Sequence, residues 1–202
     1  MLKYIRAISD IIKNYQLYIV QVLFYEVIFF LIYKKKYNKF KYLNSSQFSD
    51  SLPCPYFFLK KIKLFLDEKN INHLCDLGSG YGKVLFYFGK ICKKKIDGVE
   101  LDKEIYISSR SLFGENIKIY NEDIFKFDLK KNFYEVFILN DPLKKDDDLL
   151  KLVFKIKNHY KKVYLIFINL SLSKQDLILK ELNLNSEFKV SKNKNIFFCS
   201  LK

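Results

Sequence analysis

Seven consecutive residues, Asp76-Leu-Gly-Ser-Gly-Tyr-Gly82, carry the strongest chemical signal in the sequence. Glycine at 78, 80 and 82 lets the chain turn through positive φ and lets a ligand press on bare backbone, because no Cβ stands in the way. An apolar run leads into the turn and a helix-forming run leaves it, so the first amides of that helix face whatever sits on the loop. The spacing is GxGxG. It departs from the GxGxxG of dinucleotide-binding turns, and Lys83 does not stand where a GxxxxGK[ST] phosphate loop needs its lysine. A tight strand-to-helix turn also uses glycine when no ligand is involved, so the turn decides nothing by itself.

Two further segments add weight. Gly98-Val-Glu100-Leu-Asp102 ends the next apolar run, placing a carboxylate at a strand's end where it can accept hydrogen bonds from both ribose hydroxyls of an adenosyl ligand. Asn121-Glu-Asp123-Ile124 ends the run after that with another acid. Three successive strand ends therefore deliver polar groups to one crevice.

The elements needed to hold these residues are legible as an alternation. Apolar residues at helical spacing predict a helix over 56–68. Short apolar runs predict strands over 72–77, 95–101, 116–120, 133–139 and 161–168. Helical patterns fall between them over 83–92, 103–113, 146–158 and 174–182. Strands separated by helices imply a parallel sheet covered on both faces, an α/β fold. The last two runs, 187–190 and 196–201, flank Ser191-Lys-Asn-Lys-Asn195, which is too short for a crossover helix, so they are expected to form an antiparallel hairpin.

Taken together, these residues resemble the class I S-adenosylmethionine-dependent methyltransferases, in a small single-domain form with a hydrophobic N-terminal helix. The resemblance implies a Rossmann-like seven-stranded sheet in the order 3-2-1-4-5-7-6, with S-adenosylmethionine at the switch point beside strand 1. Asp76, Gly78, Ser79, Gly80 and Gly82 would surround its methionine part. Glu100 and Leu101 would hold the ribose, Asp123 and Ile124 would read adenine, and Asn140 would close the site. Asn140-Asp-Pro-Leu143 is similar to the Asn-Pro-Pro-Tyr or Asp-Pro-Pro-Tyr set of N-methyltransferases, with Asp141 and Leu143 as departures.

Asn140, Asp141 and Pro142 are thus the candidate catalytic residues. The Asn140 amide and a nearby carbonyl would aim an amine lone pair at the sulfonium methyl, while Asp141 would accept a proton or hold a cationic acceptor. The cofactor already activates the methyl group, so the protein contributes mainly alignment. The alternative is that the three residues only cap the strand and turn the chain. The leading expectation is N-methylation of a protein lysine or a small-molecule amine. The rivals are an RNA methyltransferase that uses the basic surface, and a non-catalytic cofactor-binding or membrane-associated scaffold.

Composition bounds these options. The 202 residues are half hydrophobic, enough for one packed domain with an appendage, and a disordered chain is excluded. The formal charge of +14 invites nucleic acid, but almost all of it is lysine. The sequence has two arginines, Arg6 and Arg110, whereas phosphate-gripping faces favour the planar guanidinium fork. Cys54, Cys75, Cys92 and Cys199 form no CxxC pair, and His73 and His159 stand alone, so no metal site is expected. Asp146, Asp147 and Asp148 precede a helical pattern and suit its positive end.

Residues 1–52 read as a hydrophobic helix and linker, and 53–202 as the methyltransferase domain. The run from Leu17 to Tyr33 is near the lower limit for crossing a bilayer, and its central Glu26 costs about 3 kcal/mol of insertion. Two readings stay open: membrane contact through residues 11–41, or a helix packed on the domain. Lys34, Lys35 and Lys36 after the run would keep the catalytic domain in the cytoplasm. A hydrophobic helix, a Pro-x-Pro-Tyr linker at 53–56 and a compact core look like the membrane-anchored protein-lysine methyltransferases. Substrate recognition is expected to fall largely to residues 1–55.

Overall fold

The structure is a computed structural model and describes residues 19–33, 39–43, 45–113, 115, 117–182, 186–189 and 196–201. Helices α1 (Ile19–Tyr33) and α2 (Tyr56–Glu68) precede the sheet. The alternation then runs β1 (His73–Leu77), α3 (Lys83–Leu85) continued by a π-helical stretch (Phe86–Ile91), β2 (Lys95–Val99), α4 (Lys103–Phe113), β3 (Ile119–Tyr120) and β4 (Val136–Asn140). It closes with α5 (Asp146–His159), β5 (Val163–Ile168), α6 (Leu172–Leu182), β6 (Ser186–Lys189) and β7 (Ile196–Leu201). The order across the seven-stranded sheet is β3-β2-β1-β4-β5-β7-β6. Strands β1 to β5 are parallel, and β7 is antiparallel to both β5 and β6. The expected fold class and strand order are both found.

Alternation along the buried strands builds two apolar layers, because successive side chains leave opposite faces. Val136, Ile138, Ile166 and Ile168 face α2 and the π-helical stretch. Phe137, Leu139, Leu165 and Phe167 face α5 and α6. The sheet is thereby fixed in register, and its carboxyl edge is a rigid platform.

Boundaries move where side chains compete with the ladder. The strand expected over 133–139 begins instead at Val136: the Tyr134 N–H donates to the Tyr160 hydroxyl at 3.4 Å, and the Tyr134 hydroxyl donates to Asp97 Oδ2 at 2.8 Å. Phe133 is left exposed. The strand expected over 116–120 shortens to two residues. The turn expected at 191–195 lies outside the described residues.

The N-terminal helix packs on the domain. Phe29 stacks on Tyr56 with ring centroids 4.1 Å apart, and Val22 is buried. Glu26, read from sequence as a cost of membrane insertion, faces inward: its carboxylate accepts the Tyr56 N–H and the Lys83 ammonium, each at 2.8 Å. Among the described residues no helix is long and apolar enough to cross a membrane. The other face of α1 exposes Val20, Leu23, Phe24, Val27, Leu31 and Ile32. Residues 11–18 and 34–38 of the segment expected to contact a membrane lie outside the described residues.

Candidate cofactor site

The glycine turn begins where β1 ends, and its shape is set by what lies beyond each missing side chain. At Gly80 φ is +54°, and a Cβ would come within 2.8 Å of Ser51 Oγ. At Gly82 φ is +83°, and a Cβ would meet the Phe113 ring at 2.5 Å. Glycine is demanded here on two grounds, left-handed backbone and close packing. Gly82 leads directly into α3, as the sequence implied.

Glu100 follows β2 and is buried. Its Oε2 accepts the Gly80 N–H at 2.8 Å and its Oε1 accepts the Asp102 N–H at 2.8 Å. Each oxygen keeps a second lone pair, which suits two neighbouring hydroxyls. Burial pushes its pKa up, opposed by those backbone N–H donors.

Asp76 is the most unusual group. It is 1% exposed, neither carboxylate oxygen has a hydrogen-bond partner, and burial together with the nearby Glu100 pushes its pKa up to about 8. Buried carboxyls without partners are costly, so one facing a cavity points to a polar or cationic ligand. The Ser79 hydroxyl, also buried, lacks a partner too.

These groups open onto one cavity of about 340 Å³. Of the residues assigned from sequence, Asp76, Gly78, Ser79, Gly80, Glu100, Leu101, Ile124, Asn140 and Pro142 line it. Three do not. Gly82 is covered by Phe113. Asp123 turns its carboxylate onto the N–H of Phe125 at 2.9 Å, leaving Ile124 to face the cavity. Asp141 takes a left-handed conformation, φ 39°, and its carboxylate meets the ammonium of Lys174 at 2.8 Å. Lys174 also donates to the Leu143 carbonyl at 2.7 Å, pinning the turn after β4.

Asn140 is held on both sides. Its amide donates to the Leu52 carbonyl, and its Oδ1 accepts from Asn169, both at 2.9 Å. Leu52 belongs to a strap that runs through the expected linker. Ser49 N–H donates to the Pro142 carbonyl at 3.0 Å, and Lys144 N–H donates to the Gln47 carbonyl at 2.8 Å. The strap thus lies along the segment after β4. Lys41 anchors its other side to Asp102 at 2.7 Å and Glu104 at 2.8 Å, and those two acids hold the Lys41 ammonium well above its ordinary pKa. Ser51, Pro53 and Cys54 of the strap line the cavity, as do Tyr81 and Lys83. Periodicity could not place a strap that forms no regular element, although two prolines in three residues announced a fixed path.

A nucleoside with a charged amino-acid tail fits this donor set: Glu100 for two hydroxyls, the apolar Leu101 and Ile124 for a base, and Asp76 for a cation. A family profile for ribosomal RNA adenine dimethylase matches residues 57–193. The chain belongs to the ribosomal RNA adenine dimethylase family. It is a class I S-adenosylmethionine-dependent methyltransferase.

No curated protein sequence matches this member of the family. Solved structures share its fold at low identity. One is an RNA methyltransferase from Salinibacter ruber in complex with S-adenosyl-L-homocysteine: TM-score 0.57, 14% identity, covering 74% of this chain and 94% of that one. Another is the magnesium protoporphyrin IX methyltransferase from Synechocystis PCC 6803: TM-score 0.55, 11% identity, covering 71% and 77%. A third is an amino pentose methyltransferase from Micromonospora echinaspora: TM-score 0.56, 11% identity, covering 73% and 89%. At such identity they establish the fold alone.

The surface charge of this dimethylase-family chain does not select an acceptor. Exposed lysines stand at the carboxyl edge of the sheet, with Lys39 lining the cavity and Lys144 and Lys145 following β4, and equally at the opposite edge, at Lys93, Lys95, Lys161 and Lys162.

Proposed function

We propose that the protein methylates an exocyclic amino group of adenine in RNA. Asn140 and Pro142 would act as the frame that positions the amine, with Asp141 supporting the frame instead of serving as a base. The family to which the chain belongs is described by that substrate class. The observation that carries the reading here is the Asp141–Lys174 ion pair at 2.8 Å.

A lysine acceptor enters as an ammonium and must lose a proton before its nitrogen has a lone pair to donate, so a base at the cavity mouth is needed. The carboxylate expected to be that base is engaged by Lys174. An adenine amino group is neutral at pH 7. It needs alignment first, and its proton becomes acidic only as the new N–C bond forms. Neutral acceptors such as the Asn140 amide oxygen and adjoining carbonyls suit that order of events. The cofactor would supply an activated methyl group to the amine that Asn140 and Pro142 align, and the amine nitrogen would give up one proton to solvent.

The test is incubation of the full chain with methyl-labelled cofactor and with RNA and protein fractions, followed by digestion of the labelled material. Label in methylated adenine of RNA, lost in Asn140→Ala, supports the proposal. Label in protein lysine would replace it with the lysine reading.

The exposed stripe of α1 supports a place at a membrane surface, since Leu, Val, Ile and Phe on one face of a helix bury into the headgroup boundary. Flotation of the chain with anionic vesicles, reversed by Phe24→Asp with Leu31→Asp, is expected. A chain that stays in the aqueous fraction would remove that location.

A further inference from the structure

Lys83 is the cation that the cavity hides. It follows the glycine turn directly, its side chain is 4% exposed, and it lines the same space as Asp76 and Glu100. Glu26 of α1 meets it with both carboxylate oxygens at 2.8 Å, and the face of Tyr56 lies 4.2 Å from the ammonium. We propose that Lys83, oriented by Glu26, takes the α-carboxylate of S-adenosylmethionine. The assignment rests on the cofactor and is independent of the acceptor.

Three observations carry it. First, Glu100, Asp76, Cys54 and Lys83 line one cavity. With the ribose on Glu100, the amino-acid tail would have Asp76 and Lys83 as the buried charged partners within the same cavity. Second, that tail is a zwitterion and needs one anion and one cation. Asp76, with two unpartnered oxygens, supplies the anion for the ammonium. Among the described residues lining the cavity, the cations are Lys39 and Lys83. Lys39 is exposed and reaches toward Ser108 and the ring of Tyr81. Lys83 is the buried one.

Third, the pair is poorly explained by stability. Taking a lysine and a glutamate out of water costs more than their attraction usually returns, and apolar residues of the same size often serve as well. An ammonium has three donors, and the Glu26 carboxylate engages two, so one remains for a ligand. Helix α1 thereby reaches the cofactor site through Glu26, which acts as the positioning residue of Lys83.

The test compares two ligands by calorimetry on the full chain. S-adenosylhomocysteine carries the amino-acid tail, and 5′-methylthioadenosine is the same nucleoside without it. Lys83→Met should weaken the first by about 10- to 100-fold, the range for a charge-assisted hydrogen bond, and leave the second within about twofold. Lys83→Arg should recover part of the loss. Because Lys83→Met removes the cation that faces Glu26, the Glu26→Gln/Lys83→Met pair should show the same selective loss with a thermal transition kept. Equal loss for both ligands, or none for S-adenosylhomocysteine, would overturn the assignment. If neither ligand binds the unaltered chain, the cofactor site itself fails.

Discussion

The Glu100 carboxylate accepts the Gly80 N–H at 2.8 Å, so the acid after β2 and the turn after β1 are one mechanical unit. The carboxylate cannot move without the loop, and the loop cannot widen without breaking a charge-assisted hydrogen bond. A ligand meets both in a fixed relation.

Steric room at Gly80 is therefore expected to be decisive. Gly80→Val places a branched side chain at φ +54° and against Ser51. Affinity for S-adenosylhomocysteine should fall at least about 100-fold by calorimetry, and the midpoint of thermal unfolding should drop by several degrees, as strain of about 1–3 kcal/mol implies. Retained affinity would show that the turn does not touch the ligand.

Asp76 predicts a dependence on pH. With its pKa pushed up to about 8 by burial and the nearby Glu100, it is mostly protonated at pH 7, and the cofactor's ammonium would favour the ionised form. Binding should therefore release a proton at pH 7, and affinity should rise as pH approaches 8. Comparison with Asp76→Asn isolates this from the cofactor's own amine. The variant should be weaker and should lose that part of the proton release, measured by calorimetry in buffers of different ionisation enthalpy.

The same residue makes a stability prediction of the opposite sense. A carboxyl whose folded pKa is raised destabilises the empty protein as pH climbs from its unfolded pKa, about 3.9, through about 8. Asp76→Asn should thus stabilise the ligand-free chain at pH 8 by roughly 1–3 kcal/mol, with little effect near pH 4. Chemical denaturation at the two pH values checks the sign.

Asn169 predicts a positioning effect. It holds Asn140 Oδ1 at 2.9 Å from the end of β5. Asn169→Ala should lower methyl transfer about 10-fold or more with cofactor affinity unchanged, because a mispositioned amine loses rate before binding. Loss of cofactor affinity instead would make Asn169 a support of the whole site.

The sequence disclosed the parts of this site that backbone rules govern. Gly78, Gly80 and Gly82 could be read because φ and close approach restrict the residue type, and Glu100 because a strand's end fixes where its side chain goes. Parallel sheet and terminal hairpin followed from apolar periods and loop lengths. The strap over the cavity, the turning of Asp123 onto Phe125 and the Asp141–Lys174 pair could not be read. The strap and the ion pair depend on contacts between distant segments, and the Asp123 bond to the N–H two residues on is a local turn; no period in the chain records any of them. Glu26 is the clearest case: as a sequence feature it was a polar interruption in an apolar run. Lys83, 57 residues away, and the Tyr56 N–H give it meaning.

The most direct measurement is calorimetric titration of the full chain with S-adenosylhomocysteine beside Glu100→Ala. One-site binding in the unaltered chain, reduced about 10-fold or more in the variant while its fold persists by circular dichroism, is the predicted result. Equal binding by the two proteins, or absence of binding by the unaltered chain, would contradict a cofactor site built from the ends of β1 and β2.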